Sequence, residues 1–258
     1  MTILKTKNHT VKIEAGELVS YEVDGHEFIH QKGSPGWRSS DTEMFPIIGP
    51  TNDANFRVST PKGDAVQDQH GLLREMEYHL LEQDETEAIF EKVYSAGTLI
   101  KNSKFPKKST EEFLSWPYNF HFTKSFCLNE NGLEITFKVE GEEEMPFMLG
   151  YHPAFKLHSE DAMIVTKEKE ISIADIMAVG SRALQVPHHK SILLKDKKDL
   201  KINTEGFVHF MLWTEVTNMV CIEPITFYPY AVAQQELHKG FNKLREQNNQ
   251  FKVTLLPQ

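Results

Sequence analysis

Short runs of alternating apolar and polar residues recur from one end of the chain to the other. This period of two constrains the fold more than any other feature, because successive side chains of a strand point to opposite faces. Val11, Ile13 and Ala15 alternate with polar residues, and residues 18–23 lead through Asp24-Gly25 into residues 26–29. Asp-Gly between two such runs is the sequence of a tight hairpin. Residues 88–94, 120–128 and 133–139 repeat the pattern. The last two are separated by Asn129-Glu130-Asn131-Gly132, whose Asn-Gly predicts a second hairpin. Later runs cover 162–165, 207–213, 220–222 and 251–255. Helical periodicity is confined to residues 236–243, where Gly240 works against length. Strands of about four to eight residues at this spacing predict an all-β sandwich or barrel.

At 258 residues the chain is long enough to bury a substantial core. No repeat, composition shift or low-complexity linker divides it, so a single domain over 1–258 is expected. The polar segments 101–109, 195–201 and Glu142-Glu143-Glu144 read as exposed connections. With 28 Lys+Arg against 37 Asp+Glu the formal charge is −9. That balance argues against a nucleic-acid or anionic-membrane partner, whose affinity comes from basic residues. It also disfavours a strongly anionic substrate, although a few local arginines suffice for one phosphate. Cys127 and Cys221 are too few for a disulfide framework, and neither CxxC nor HExxH spacing occurs, so no metal is expected. Residues 1–14 lack the apolar core of a signal peptide, and no apolar stretch approaches the roughly 20 residues of a membrane helix. The expectation is a soluble, cytoplasmic protein, monomer or homodimer.

Three motifs place titratable groups in apolar or Gly/Pro-marked settings: Gln69-His70-Gly71-Leu72-Leu73-Arg74, Gly150-Tyr151-His152-Pro153-Ala154-Phe155 and Cys221-Ile222-Glu223-Pro224. Gly150 and Pro153 restrict the backbone around His152, which reads either as a core histidine bonded to a backbone carbonyl or as an acid beside a pocket. Glu223 ends a buried-looking strand before Pro224, and a carboxylate there is either paired or displayed into a cleft. Gly71 permits a close backbone approach beside His70, whose residue type alone favours a structural role. Trp37, Trp116 and Trp213 are each core candidates or sugar-stacking candidates. Brought together, two imidazoles and one carboxylate can take a proton from one oxygen and give one to another.

In their order and spacing these motifs resemble the aldose 1-epimerase (galactose mutarotase) family, in particular its LacX-like bacterial branch. The resemblance also takes in residues 44–49, Trp116-Pro117-Tyr118-Asn119-Phe120, Met145-Pro146-Phe147-Met148-Leu149 and Leu212-Trp213-Thr214. It implies a β-supersandwich with the sugar bound across a concave sheet, and a cofactor-free isomerase reaction that interconverts the α and β anomers of a hexose. By motif, Glu223 is the implied base, His152 the implied acid, and His70 a hydrogen-bonding partner of the sugar. Arg74, Arg57 and Trp213 are the further substrate-binding candidates. An ordinary Glu is ionised at neutral pH, and a neighbouring carboxylate is expected to raise the pKa of His152. The chain departs from the branch at Ile225-Thr226, where Trp-Gly is usual, and at Glu140-Gly141, where Asn is frequent. A hexose-6-phosphate mutarotase would need two or more basic side chains on one pocket rim, for which the sequence offers Arg74 and Arg57. A non-catalytic carbohydrate-binding or regulatory protein on the same scaffold would not need an acid facing a base.

Overall fold

The computed structural model describes residues 1–258, apart from the side chain of residue 248. Among the described residues the largest sheet has nine antiparallel strands. Its centre is Phe120–Leu128, flanked by Leu133–Gly141 and Glu87–Tyr94, with Gln250–Pro257 beyond. The predicted alternation is its packing code: Phe120, Phe122, Phe126 and Leu128 point inward, as do Leu133, Ile135, Phe137 and Val139. The fifth inward position of the central strand is Lys124, and it is fully buried.

A second sheet runs in the order Leu184–Pro187, His209–Trp213, Met219–Ile225, Gly150–Tyr151 and Glu43–Met44, with Ala154–Lys156 also paired to Met219–Ile225. The core lies between the sheets, where the Phe137 ring is 4.9 Å from Tyr151 and Phe45 meets Phe120 edge-on at 4.9 Å. Met219–Ile225 is buried at every position. Val220 and Ile222 belong to the main core, whereas Cys221, Glu223 and Ile225 face the opposite side. A β-strand buried on both faces cannot announce its functional face by alternation.

Both hairpins occur, by different turn chemistry. Asp24 and Gly25 have φ of 49° and 77°, the left-handed pair that a two-residue type I′ turn demands. Residues 129–132 instead form a four-residue loop, with the Asn129 carboxamide oxygen accepting from the amides of Asn131 and Gly132. Gly132 is required by proximity, since a Cβ there would lie 2.1 Å from the carbonyl oxygen of Leu255. The helical periodicity near residues 236–243 is a 3-10 helix, Gln234–Gly240, followed by extended Asn242–Lys243. Segment 101–109 is more than an exposed connection. Asn102 is buried and its amide nitrogen lies 3.0 Å from both Asp68 and Ser109, while the Lys104 ammonium is 2.8 Å from Asp68. These bonds dock the segment on the loop that carries His70.

Candidate active site

His152 and Glu223 meet through strand register. Gly150 pairs with Ile225 and Ala154 with Cys221, and the same register sets His152 opposite Glu223. The ladder opens between those pairings at His152-Pro153, and Pro224 supplies no N–H there. Side chains opposite one another in an antiparallel pair share a face. Accordingly Nε2 of His152 stands 3.5 Å from Oε1 of Glu223, with both groups almost wholly buried. The His152 backbone exchanges two hydrogen bonds with Thr42, so its peptide is fixed from the other side as well.

Three rings surround the imidazole. Trp37 stacks on it at 4.4 Å, His70 approaches edge-on at 5.4 Å, and Trp213 lies at 6.3 Å. Nδ1 of His152 is buried without a hydrogen-bond partner among the described residues. The ring is thus oriented by stacking and by its backbone, and the core-histidine reading, with a bond to a backbone carbonyl, does not describe it. His70 is held differently. Its φ is 76°, Gly71 follows at 72°, and a Cβ on Gly71 would meet the Phe45 carbonyl oxygen at 2.2 Å. The glycine therefore serves both a left-handed backbone and a close approach. Nδ1 of His70 lies 3.0 Å from the Ile48 carbonyl, which only accepts, so Nδ1 carries the proton and Nε2 is left for a ligand.

These groups line a cleft of about 830 Å³. Of the sequence-predicted site residues, the structure brings together Glu223, His152, His70, Arg74 and Trp213. Arg57 stands apart, on the exposed hairpin strand Arg57–Thr60, with Nη1 3.5 Å from Glu111. Trp116 is a fully buried core residue. Trp37, a sugar-stacking candidate by sequence, also lines the cleft, as do Arg38, Lys108 and Tyr230, which the sequence did not single out. The signal for the first two was the run Gly33-Ser34-Pro35-Gly36 just before them. Gly36 has φ of 115°, and a Cβ there would strike the Met219 sulfur at 2.8 Å. Ile225 and Thr226 do not form a wall of the cleft. Ile225 packs with Met44 and Met148, and the Thr226 hydroxyl accepts from the Leu149 amide. Among the described residues no group of three His, Cys, Asp or Glu side chains is arranged to hold a metal ion.

Burial sets the proton balance. It pushes the Glu223 carboxyl well above the ordinary carboxylate range. Burial, with a smaller push from the Arg74 guanidinium, brings His152 down to about 3. The expectation that the carboxylate raises the histidine's pKa is reversed, because desolvation disfavours both charged forms. Burial therefore favours the neutral form of each, a protonated Glu223 facing a neutral imidazole, one proton between two bases.

A family model described as aldose 1-epimerase matches residues 52–205. The plasmid and chromosomal LacX proteins of Lactococcus lactis subsp. lactis are each 30% identical to this chain over 165 residues, 60% of this chain and 50% of theirs. The chain thus spans about half the length of the curated relatives it matches. A galactose mutarotase-like protein from Lactobacillus casei superposes with a TM-score of 0.78 at 15% identity, covering all of both chains. A galactose mutarotase related enzyme from Lactobacillus acidophilus gives 0.73 at 20% identity, covering 98% of this chain and 96% of that one. These likenesses show the fold, a galactose mutarotase-like β-supersandwich. On the family match, and in keeping with that fold, the chain belongs to the aldose 1-epimerase family.

Proposed function

We propose that the protein, as a single domain over 1–258, is a cofactor-independent isomerase that interconverts the α and β anomers of an aldohexose. The observation that carries this reading is the cross-strand pair His152–Glu223, 3.5 Å apart and buried at the floor of a cleft walled by Trp37 and Trp213. Indole faces suit the apolar C–H surface of a pyranose. In ring opening, Glu223 takes the proton of the O1 hydroxyl as the C1–O5 bond breaks, and O5 takes a proton from His152. The products are an aldehyde at C1 and a hydroxyl on C5. Rotation about C1–C2 presents the other carbonyl face, and closure runs the two transfers in reverse. His70 and Arg74 hydrogen-bond the sugar and hold the reacting end in place.

The pair begins and ends each turnover with one proton, so none is exchanged with solvent. The neutral pair favoured by burial is the state that matches the open-chain sugar, with the proton on Glu223. When the cyclic sugar binds, hydroxyl donors to the carboxylate lower its pKa and the proton passes to His152. Positioned acid–base groups of this kind contribute roughly 10²–10⁴-fold each. The test is polarimetry or NMR of freshly dissolved α-glucose and α-galactose, with wild type and Glu223→Gln side by side. Faster anomer exchange with wild type alone is the expected result. Equal rates with wild type, variant and buffer would defeat the proposal.

A further inference from the structure

Two lysines stand in the inward register of neighbouring strands of the large sheet, Lys124 in Phe120–Leu128 and Lys92 in Glu87–Tyr94, and both are buried. Lys124 meets two carboxylates, those of Asp41 and Glu43. Lys92 makes no ion pair among the described residues. Its ammonium donates one hydrogen bond, 2.8 Å to the Leu73 carbonyl, and rests 4.0 Å from the centre of the Tyr78 ring. An ammonium has three N–H donors, so this one is left incompletely bonded. A buried charge with no carboxylate against it favours the neutral amine. Burial is the largest influence on Lys92 and Lys124 adds to it, while Glu43, Asp41 and Glu75 oppose them; the balance brings Lys92 down to about 8. Lys92 also lines a cavity of about 520 Å³, together with Ser39, Asp41, Thr42, Glu43, Arg74 and Tyr78. Ser39 and Arg74 line the His152–Glu223 cleft as well, so the two cavities share a wall. Anomer exchange at His152 and Glu223 makes no use of this amine.

We propose that Lys92 is the reactive amine of a second site, which takes a small hydroxyaldehyde and holds it as an imine. A desolvated lysine beside another cation is a nucleophile toward carbonyl carbon. The free amine attacks that carbon, and the C–N bond forms as the C=O π pair moves to oxygen. The oxygen collects two of the three ammonium protons and leaves as water. The net change is ammonium plus aldehyde to protonated imine plus water, so the positive charge beside Asp41 and Glu43 is kept. An acylated amine would lose that charge and leave both carboxylates with less compensation, which is why the ligand is assigned as an aldehyde. Burial and the nearby Glu43 carboxylate hold the Tyr78 hydroxyl protonated, so it is available to give a proton to the departing oxygen. The hydroxyl of Ser39 and the carboxylate of Glu77, on the same wall, suit a ligand that carries hydroxyl groups.

The experiment treats the full chain briefly with glyceraldehyde and cyanoborohydride at pH 7.5, which fixes any imine as a stable amine, and maps the adducts by peptide mass spectrometry. Lys7 and Lys167, both exposed, serve as internal references. An amine of pKa about 8 is about one quarter free base at this pH, against about 0.1% for a lysine at about 10.4. Lys92 is therefore expected to be labelled roughly tenfold or more faster than either reference, with a rate that levels off above about pH 8. Propionaldehyde, which lacks hydroxyls, is expected to label Lys92 several-fold more slowly than glyceraldehyde does. Lys92→Arg keeps the cation over Tyr78 and should remove the fast adduct without creating another. Labelling of Lys92 no faster than that of Lys7 and Lys167 overturns the inference. Equal labelling by the two aldehydes overturns the hydroxyaldehyde assignment. Because the readout is adduct formation on the chain, the result stands apart from whether the protein speeds anomer exchange.

Discussion

Two groups of buried ionisable side chains lie on either side of Tyr151 and His152, and they are resolved in opposite ways. In the first, the Lys124 ammonium sits 2.8 Å from Asp41 and 2.6 Å from Glu43, and the Tyr151 hydroxyl donates to the same Asp41 oxygen at 2.7 Å. Burial pulls Lys124 down, but Asp41 and Glu43 outweigh it and the pKa is raised. Burial likewise pushes Glu43 up, and Lys124 with Lys92 more than offset it. Asp41 rises to about 6 and is still largely ionised at neutral pH. In the second group, His152 and Glu223 are as deeply buried, yet no cation saturates the carboxylate, and both are driven toward their neutral forms. Burial alone therefore does not distinguish a strut from a reactive pair. What does is whether the protein supplies the counter-charges or leaves them for a ligand. The first cluster ties the central strand of the large sheet to the short strands Glu43–Met44 and Gly150–Tyr151, the second of which ends just before His152. The second faces the cleft, where the proposed function places the sugar hydroxyls.

That contrast can be broken by substitution, beginning with the largest effect. Lys124→Met strands two carboxylates in the core and is expected to cost about 3–5 kcal/mol of unfolding free energy in urea titrations. A loss below about 1 kcal/mol would put the cluster on a level with surface ion pairs. Tyr151→Phe removes one hydrogen bond to Asp41 and leaves its ion pair, so a loss of about 1.5–3 kcal/mol is expected by the same method. Glu223→Gln should go the other way. The folded-state pKa of Glu223 is raised, so between about 4.5 and that raised value the unfolded chain releases a proton that the folded chain keeps. Wild-type stability therefore falls across this window as pH increases, while the glutamine variant is exempt. Calorimetry should find no difference between the two near pH 4 and a Tm about 2–4 °C higher for the variant at pH 7. A variant less stable than wild type at pH 7 would mean that Glu223 is paired structurally.

Much of this architecture was legible in the sequence, and the exceptions share a cause. Alternation at 120–128 and 133–139 specified the large sheet because those strands have one face in the core. It also hid Lys124, whose place in the inward register looked like an interruption of an apolar face. Met219–Ile225 carries no alternation, so Glu223 was found through Pro224 and the family motif rather than through period. His152 and His70 were each ambiguous alone, since pairing across 71 residues of sequence between His152 and Glu223 is a matter of register that no local pattern encodes. Arg57 was placed by its neighbourhood in sequence, and its hairpin turns it toward Glu111 instead. Lys108 was invisible because segment 101–109 reads as a solvated loop. Its approach to the cleft depends on the buried bonds of Asn102 and Lys104 to a second loop.

The displaced proton of the His152–Glu223 pair is the feature on which the reactive reading depends. Heteronuclear NMR of ring-labelled histidine, in the absence of sugar, measures it directly. The His152 resonances are expected to keep neutral-imidazole shifts from pH 8 down to pH 4.5 and to titrate only toward about 3, with Arg74→Gln moving that midpoint upward. A His152 that titrates near the ordinary histidine value of about 6.5 would contradict the account.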